Sequence, residues 1–137
     1  MDISFEKWKG PGGIKEYIIN QTGCNPYSGA GINYRAEKKT TLLRSVDDTY
    51  YYDDDLKDPN LVEYTLFGQK GNQDEDEKRF NEPLLNPNKT EHIYLYRVKP
   101  NIYVWYGKYE IVDKYEKFHI DKNYDERTII VLILRKI

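Results

Sequence analysis

The chain has 137 residues, a formal net charge of -2 from 21 basic and 23 acidic side chains, and 14 tyrosines against 4 phenylalanines. That length predicts one domain over 1–137 able to bury its core without staples, and the near-balanced charge excludes a nonspecific coat on nucleic acid, so contact with phosphate needs a local basic patch. The single Cys24 excludes an intrachain disulfide, and no apolar N-terminal stretch or membrane-length run is present, so we expect an intracellular protein with no membrane partner.

From Gly12, the segment GGIKEYIINQTG carries Ile14, Tyr17 and Ile18 at helical spacing and ends on Thr22-Gly23, which predicts one short amphipathic helix. Asn25 to Gly31 is rich in turn residues, and TTLLRSV, ending at Val46, reads as a strand. Arg35, Lys38 and Lys39 precede it, and with Arg44 they are the candidates for touching a phosphate backbone; the alternative is a solvated face of an edge strand. Tyr50 to Tyr52 should end a strand, with Asp53 to Asp55 and Pro59 on the loop beyond it. A strand resumes over Val62 to Phe67. The charged tract Asp74 to Lys78 leads into a helical turn around Lys78 to Leu85, stopped by Pro83 and Pro87.

His92 to Val98 alternates, with His92, Tyr94, Tyr96 and Val98 on one face and Ile93, Leu95 and Arg97 on the other. Ile102 to Asp113 reads as two strands bent around Tyr106-Gly107. Thr128 to Leu134, TIIVLIL, is an unbroken apolar run suited to a central strand covered on both faces. The fold class is therefore mainly β (α+β): a curved, barrel-like, antiparallel-rich sheet with one N-terminal helix and short flanking helices. Tyrosine offers a flat face and a polar tip, so most of the tyrosines should be structural.

One stretch, Tyr50 to Asn81, combines consecutive tyrosines, an aspartate cluster and a glycine-punctuated loop, the groups that a pocket for a flat, polar-edged ligand needs. Its spacing Tyr52-x-x-Asp55, followed by Tyr64-Thr65, resembles the base-binding pocket of the SRA (SET and RING associated) domain family, PUA-like readers of modified cytosine. Gly68-Gln69-Lys70-Gly71-Asn72-Gln73 is similar to the Gly-Gln-x-Gly-Asp-Gln run of its bacterial members in modification-dependent restriction systems. Asn81-Glu82-Pro83-Leu84-Leu85 stands where the family has Asn-Arg-Ala-Leu, and Tyr106-Gly107-Lys108-Tyr109 resembles its Tyr-Asp-Gly-x-Tyr signature. The chain departs at Leu66-Phe67, where the family has glycine, and in lacking the signature aspartate. The resemblance implies an N-terminal helix and turn over 1–28 and a barrel with its pocket over 29–137.

The resemblance also implies roles. A reader that inspects a whole cytosine flips it from the stack, holds it between aromatic faces and reads its Watson-Crick edge. Tyr52 and Tyr64 would be the two faces, Asp55 would accept from the exocyclic amine that thymine lacks, and Thr65 would line the C5 edge. Leu66, Gly68, Gln69, Gln73, Asn81 and Tyr106 would shape the pocket and its loops. Lys70 would join the backbone contacts. The segment between Thr65 and Asn81 is too short for the long base-displacing finger of the eukaryotic members, so by loop position alone Gln69, Lys70 or Gln73 would fill the hole left by the flipped base. The implied partner is double-stranded DNA containing modified cytosine, 5-methyl or 5-hydroxymethyl, with any cleavage left to a separate nuclease.

Other classes carry weaker signals. Asp47, Asp48, Asp53, Asp54, Asp55 and Asp58 could chelate Mg²⁺ as in a hydrolytic nuclease, but no PD-x(n)-ExK or HNH pattern accompanies them. His92 and His119 lack partners at metal-ligand spacing, Cys24 lacks a base, and there is no Walker or Rossmann fingerprint. We therefore expect no catalytic residue, no resident metal and no cofactor. An RNA or free-nucleotide binder on a PUA-like scaffold is the main alternative, and a scaffold-only protein a third. Salt dependence separates a duplex reader from a nucleotide pocket.

Overall fold

The computed structural model describes residues 2–26, 31–46, 58–66, 78–86, 88–120 and 126–137. Its spine is a long antiparallel pair, β6 (Ile102–Ile120) with β7 (Glu126–Lys136). The strand β7 is β-branched and apolar through its middle, and it lies between β6 and β4 (Leu61–Thr65), with Ile129, Val131 and Leu134 fully buried. Such a run needs cover on both faces, which an interior strand receives and an edge does not. On the other side of β6 come β5 (His92–Lys99), β3 (Thr40–Val46) and β2 (Ile32–Arg35), while the short β1 (Ile3–Phe5) pairs β6 off this path. All pairings are antiparallel except β3 with β5. A parallel pair needs a long connection, and 47–91 supplies it, including β4 and the helix α2 (Lys78–Leu85).

The sheet has two differently covered faces. The inner face gathers Ile32, Leu43, Val62, Tyr64, Leu66, Ile93, Leu95, Tyr109, Ile130, Leu132 and Leu134 into one core, with Leu84 of α2 against it. The outer face carries α1 (Ile14–Thr22), which buries Ile14 and Ile18 completely. Each of those two side chains contributes about 1.5–3 kcal/mol through burial. Gly23 ends the helix at φ 72, and its N–H closes on the Ile19 carbonyl. Beneath α1 lie Tyr96, Trp105 and Leu42, with Phe5, Trp8, Tyr17, Tyr94, Val98 and Tyr103 around them. Tyr94 stacks on Trp105 at 5.6 Å between ring centroids, and Tyr17 meets the same indole edge-on at 5.8 Å.

Two details differ from the sequence reading. Pro83 lies inside α2 rather than stopping it; proline removes one backbone donor, a loss confined here to the last turn of a short helix. The Tyr106-Gly107 dipeptide does not divide two strands. Leu95 pairs with Gly107 and Tyr96 with Trp105, so Tyr106 is the extra residue of a bulge inside one continuous β6, and Gly107 accommodates it at φ 100. As expected, the sheet is barrel-like without being closed: the ladder path runs from β2 to β4 and no described pairing joins its ends.

Candidate functional site

The two ends of the sheet meet through a side chain. Alternation along β4 turns Val62 and Tyr64 inward, with Leu66 just beyond them in the same core. The Tyr64 hydroxyl donates to the Gly31 carbonyl at 3.0 Å, just before β2, and to the Arg44 carbonyl on β3 at 3.1 Å. The same Gly31 carbonyl accepts the Arg44 N–H at 2.8 Å. Tyr64 thus ties β4 to the far edge strands, and its ring is only 3% exposed. This tie lies next to Val46, where β3 runs into the segment carrying Tyr52 and Asp55.

Thr65 is buried as well, but strand alternation turns it to the face opposite Tyr64, beside Val131, its partner in the β4–β7 ladder. On that face the Tyr115 hydroxyl donates to Glu63 Oε1 at 2.8 Å. Leu66 is fully buried in the inner core, and its N–H bonds the Ile130 carbonyl at 3.0 Å. The bulk that replaces the family's glycine is therefore spent on core packing. Asn81 is fully buried on α2, while Tyr106 is buried in the same core as Tyr64. Burial, and then the Asp2 carboxylate, raise the Tyr106 hydroxyl above the usual phenol range. The inner core thus brings Tyr64, Leu66 and Tyr106 together. Tyr52, Asp55, Gly68, Gln69, Lys70 and Gln73 lie outside the described residues, as do all members of the aspartate cluster except Asp58.

The described candidate phosphate contacts, Arg35, Lys38, Lys39 and Arg44, are not gathered on the inner face. Arg44 shares the outer face with Leu42 and stands opposite Tyr96 in the parallel ladder, with its Nε buried and unpartnered. Its contribution to the Tyr64 tie is its carbonyl rather than its charge. Arg35 donates to the Asn25 and Tyr34 carbonyls, pinning the chain after α1. Lys38 and Lys39 are exposed at the turn between β2 and β3, and Lys39 pairs with Glu91 at 3.6 Å. Among the described residues, Arg97 is an arginine on the inner face, and it reaches Ser45 Oγ at 3.4 Å. Its alternation with Ile93 and Leu95 was readable in the sequence, but which face formed the inner side was not.

A second feature of the inner face is an open groove of about 440 Å³ between α2 and the middle of β6. Leu84, Ile93, Tyr109 and Leu132 form its apolar floor, with Glu91 and Lys114 among its polar lining. Tyr109 donates to the Pro59 carbonyl, and burial pushes its hydroxyl far above the usual phenol range. Beside the groove, Lys89 and Glu82 pair; their hydrogen bond lowers the carboxyl's pKa and raises the ammonium's. Among the described residues no group of three or more His, Cys, Asp or Glu is placed to hold a metal ion, and no helix is long and apolar enough to cross a membrane.

This architecture, an incompletely closed curved sheet with one helix on its outer face and another beside its inner core, is the SRA-like fold. The chain is similar to the SRA domain of SUVH5 in complex with methylated CHH DNA, with a TM-score of 0.64 and 21% identity over 88% of this chain and 82% of that one. It is similar to MspJI restriction endonuclease in complex with a 27-mer oligonucleotide, with a TM-score of 0.72 and 14% identity over 98% of this chain and 41% of that one. A third similarity, at TM-score 0.64 and 17% identity, is to the sulfur binding domain and SRA domain of ScoMcrA complexed with phosphorothioated DNA; it covers this whole chain and 39% of that one. The chain therefore spans only about two fifths of MspJI and of the two-domain ScoMcrA chain. No protein-family model and no curated protein matches the sequence.

Proposed function

We propose that this chain is a DNA-binding reader of modified cytosine in duplex DNA, which extrudes the base into a pocket formed by Tyr52, Asp55 and Tyr64. The observation that carries the reading is the tie at Tyr64. The tyrosine that the SRA spacing marks as a stacking face hydrogen-bonds the Arg44 carbonyl, next to the point where β3 enters the Tyr52-Asp55 segment. Solved SRA domains of the same fold, in complexes with methylated DNA, support it.

Stacking on aromatic faces is worth roughly 1–3 kcal/mol per base, comparable with the cost of unstacking. Tyr64 is closed over in the free protein, so base entry displaces what covers its ring and spends part of that energy. Asp55 then supplies selectivity, because a carboxylate left unpaired against a base without the exocyclic amine costs more than the stacking returns. Binding alone is the proposed activity; cleavage belongs to a separate nuclease.

Fluorescence anisotropy on short duplexes that differ at one cytosine (unmodified, 5-methyl, 5-hydroxymethyl), at two salt concentrations, tests the reading. Tighter binding to one modified duplex, lost in Asp55→Ala and weakened steeply by salt, is the expected result. Binding indifferent to modification and to Asp55 would refute it. Salt-insensitive binding of free nucleotide instead would move the assignment to a nucleotide pocket.

A further inference from the structure

The strands β6 and β7 stay paired well beyond their neighbours. The ladder of β5 with β6 ends at Ile93↔Tyr109 and that of β4 with β7 at Thr65↔Val131, whereas β6 and β7 remain in register out to Ile120↔Glu126. Past Leu66, whose N–H still reaches the Ile130 carbonyl, no other strand among the described residues pairs with either side of this ribbon. Its outer part carries the most exposed large apolar side chain among the described residues, Phe118 at 77%, with Ile120 at 57%.

Register decides which way this end faces. Leu132 pairs with Tyr64 on one side and with Lys114 on the other. Counting outward by twos from Lys114 gives Glu116, opposite Ile130, then Phe118 and Ile120. Tyr64, Ile130 and Leu132 belong to the inner core, so Phe118 and Ile120 continue the inner face past the end of the sheet. Four residues separate Phe118 from the level of Tyr64, about 13 Å at roughly 3.3 Å per residue.

A single exposed apolar side chain needs no explanation, but two such side chains on one face of the ribbon, in line with Tyr64, do. A second copy of this chain is a poor occupant. Two side chains of this size offer at most a few hundred Å², well short of the roughly 1,200 Å² that a stable interface buries. A base stack is a better one, since exposed apolar side chains, phenylalanine and isoleucine among them, act as wedges between base steps.

We propose that Phe118, with Ile120 beside it, is an apolar wedge that enters the base stack next to the extruded nucleotide and keeps the gap from reclosing. This rests on the reader function proposed above. It adds a second element, the β6–β7 ribbon, to the role that the sequence suggests for Gln69, Lys70 and Gln73.

The test compares wild type, Phe118→Ala, Phe118→Leu and Asp55→Ala on two duplexes: one with 5-methylcytosine paired to guanine, the other with the same cytosine opposite an abasic site, where little stacking or pairing holds it. Phe118→Ala should bind the paired duplex roughly tenfold more weakly, the size expected for one stacking contact, and the abasic-opposed duplex within about threefold of wild type. Phe118→Leu should lie between, and Asp55→Ala should lose both duplexes. A paired-duplex affinity unchanged in Phe118→Ala, or equal losses on both duplexes, would overturn the wedge while leaving the reader intact. If wild type itself ignores the modification, the reader fails and the wedge with it. A shift from dimer to monomer in Phe118→Ala by light scattering, with DNA binding unchanged, would assign the ribbon to self-association. Because Phe118 is so exposed, the alanine variant should keep the wild-type urea midpoint.

Discussion

Replacing Tyr64 by phenylalanine keeps the ring in the inner core and removes only the hydroxyl that joins the two ends of the sheet. That hydroxyl divides one proton between the Gly31 and Arg44 carbonyls, at 3.0 and 3.1 Å. Gly31 keeps a donor in the Arg44 N–H at 2.8 Å, so the loss falls mainly on the Arg44 carbonyl and on the bond itself. A net hydrogen bond contributes about 0.5–1.5 kcal/mol, and a carbonyl left short in a buried site adds to that, so we expect a loss of about 1–2 kcal/mol. In a chain of this size the melting temperature should fall by about 3–8 °C. Urea and thermal unfolding of Tyr64→Phe beside wild type measure it. A midpoint unchanged or raised would mean that apolar packing alone holds β4 against β2 and β3, and would remove the tie from our account.

The same substitution at Tyr96 should have the opposite sign: its hydroxyl is buried without a partner, so Tyr96→Phe should leave stability unchanged or raise it by about 1–2 kcal/mol in the same unfolding assay. Burial pushes the Tyr96 pKa up to about 12, with the nearby Arg44 charge opposing the shift. The folded protein therefore holds this proton more tightly than the unfolded chain. Its contribution is fully present below about pH 10 and is lost as pH rises toward 12, a change of order 3 kcal/mol that a pH series of urea midpoints on wild type and Tyr96→Phe would isolate. Gly107→Ala should cost about 1–2 kcal/mol from backbone strain alone, since φ is 100 and the new Cβ would come no closer than 4.0 Å to the Lys136 Cε; a midpoint equal to wild type would show that the bulge tolerates a side chain.

Local pattern was a good guide wherever one interaction range dominated. The helical spacing of Ile14, Tyr17 and Ile18 and the glycine after Thr22 define α1 closely, because both the buried stripe and the left-handed cap are properties of neighbouring residues. Alternation in β5 separated Ile93 and Leu95 from Tyr94, Tyr96 and Val98 correctly, since side chains must leave opposite faces of a strand. The bulge at Tyr106 was misread as a break: glycine marks a departure from regular geometry, but whether a strand ends or continues there depends on the partner strand. Arg44 also contributes its carbonyl to the tie, a role that its place in the sequence does not signal because it depends on a strand far away in the chain.

The order of residues along the chain thus determined the elements, the two-faced character of the sheet and the motif spacing that pointed to an SRA-like fold. Tertiary structure alone decided which face became the interior, that the sheet's ends meet through Tyr64, and that Phe118 points along the inner face. Those outcomes depend on strand order and register among segments far apart in sequence, and pairing a strand one residue out of step would reverse every face assignment that follows.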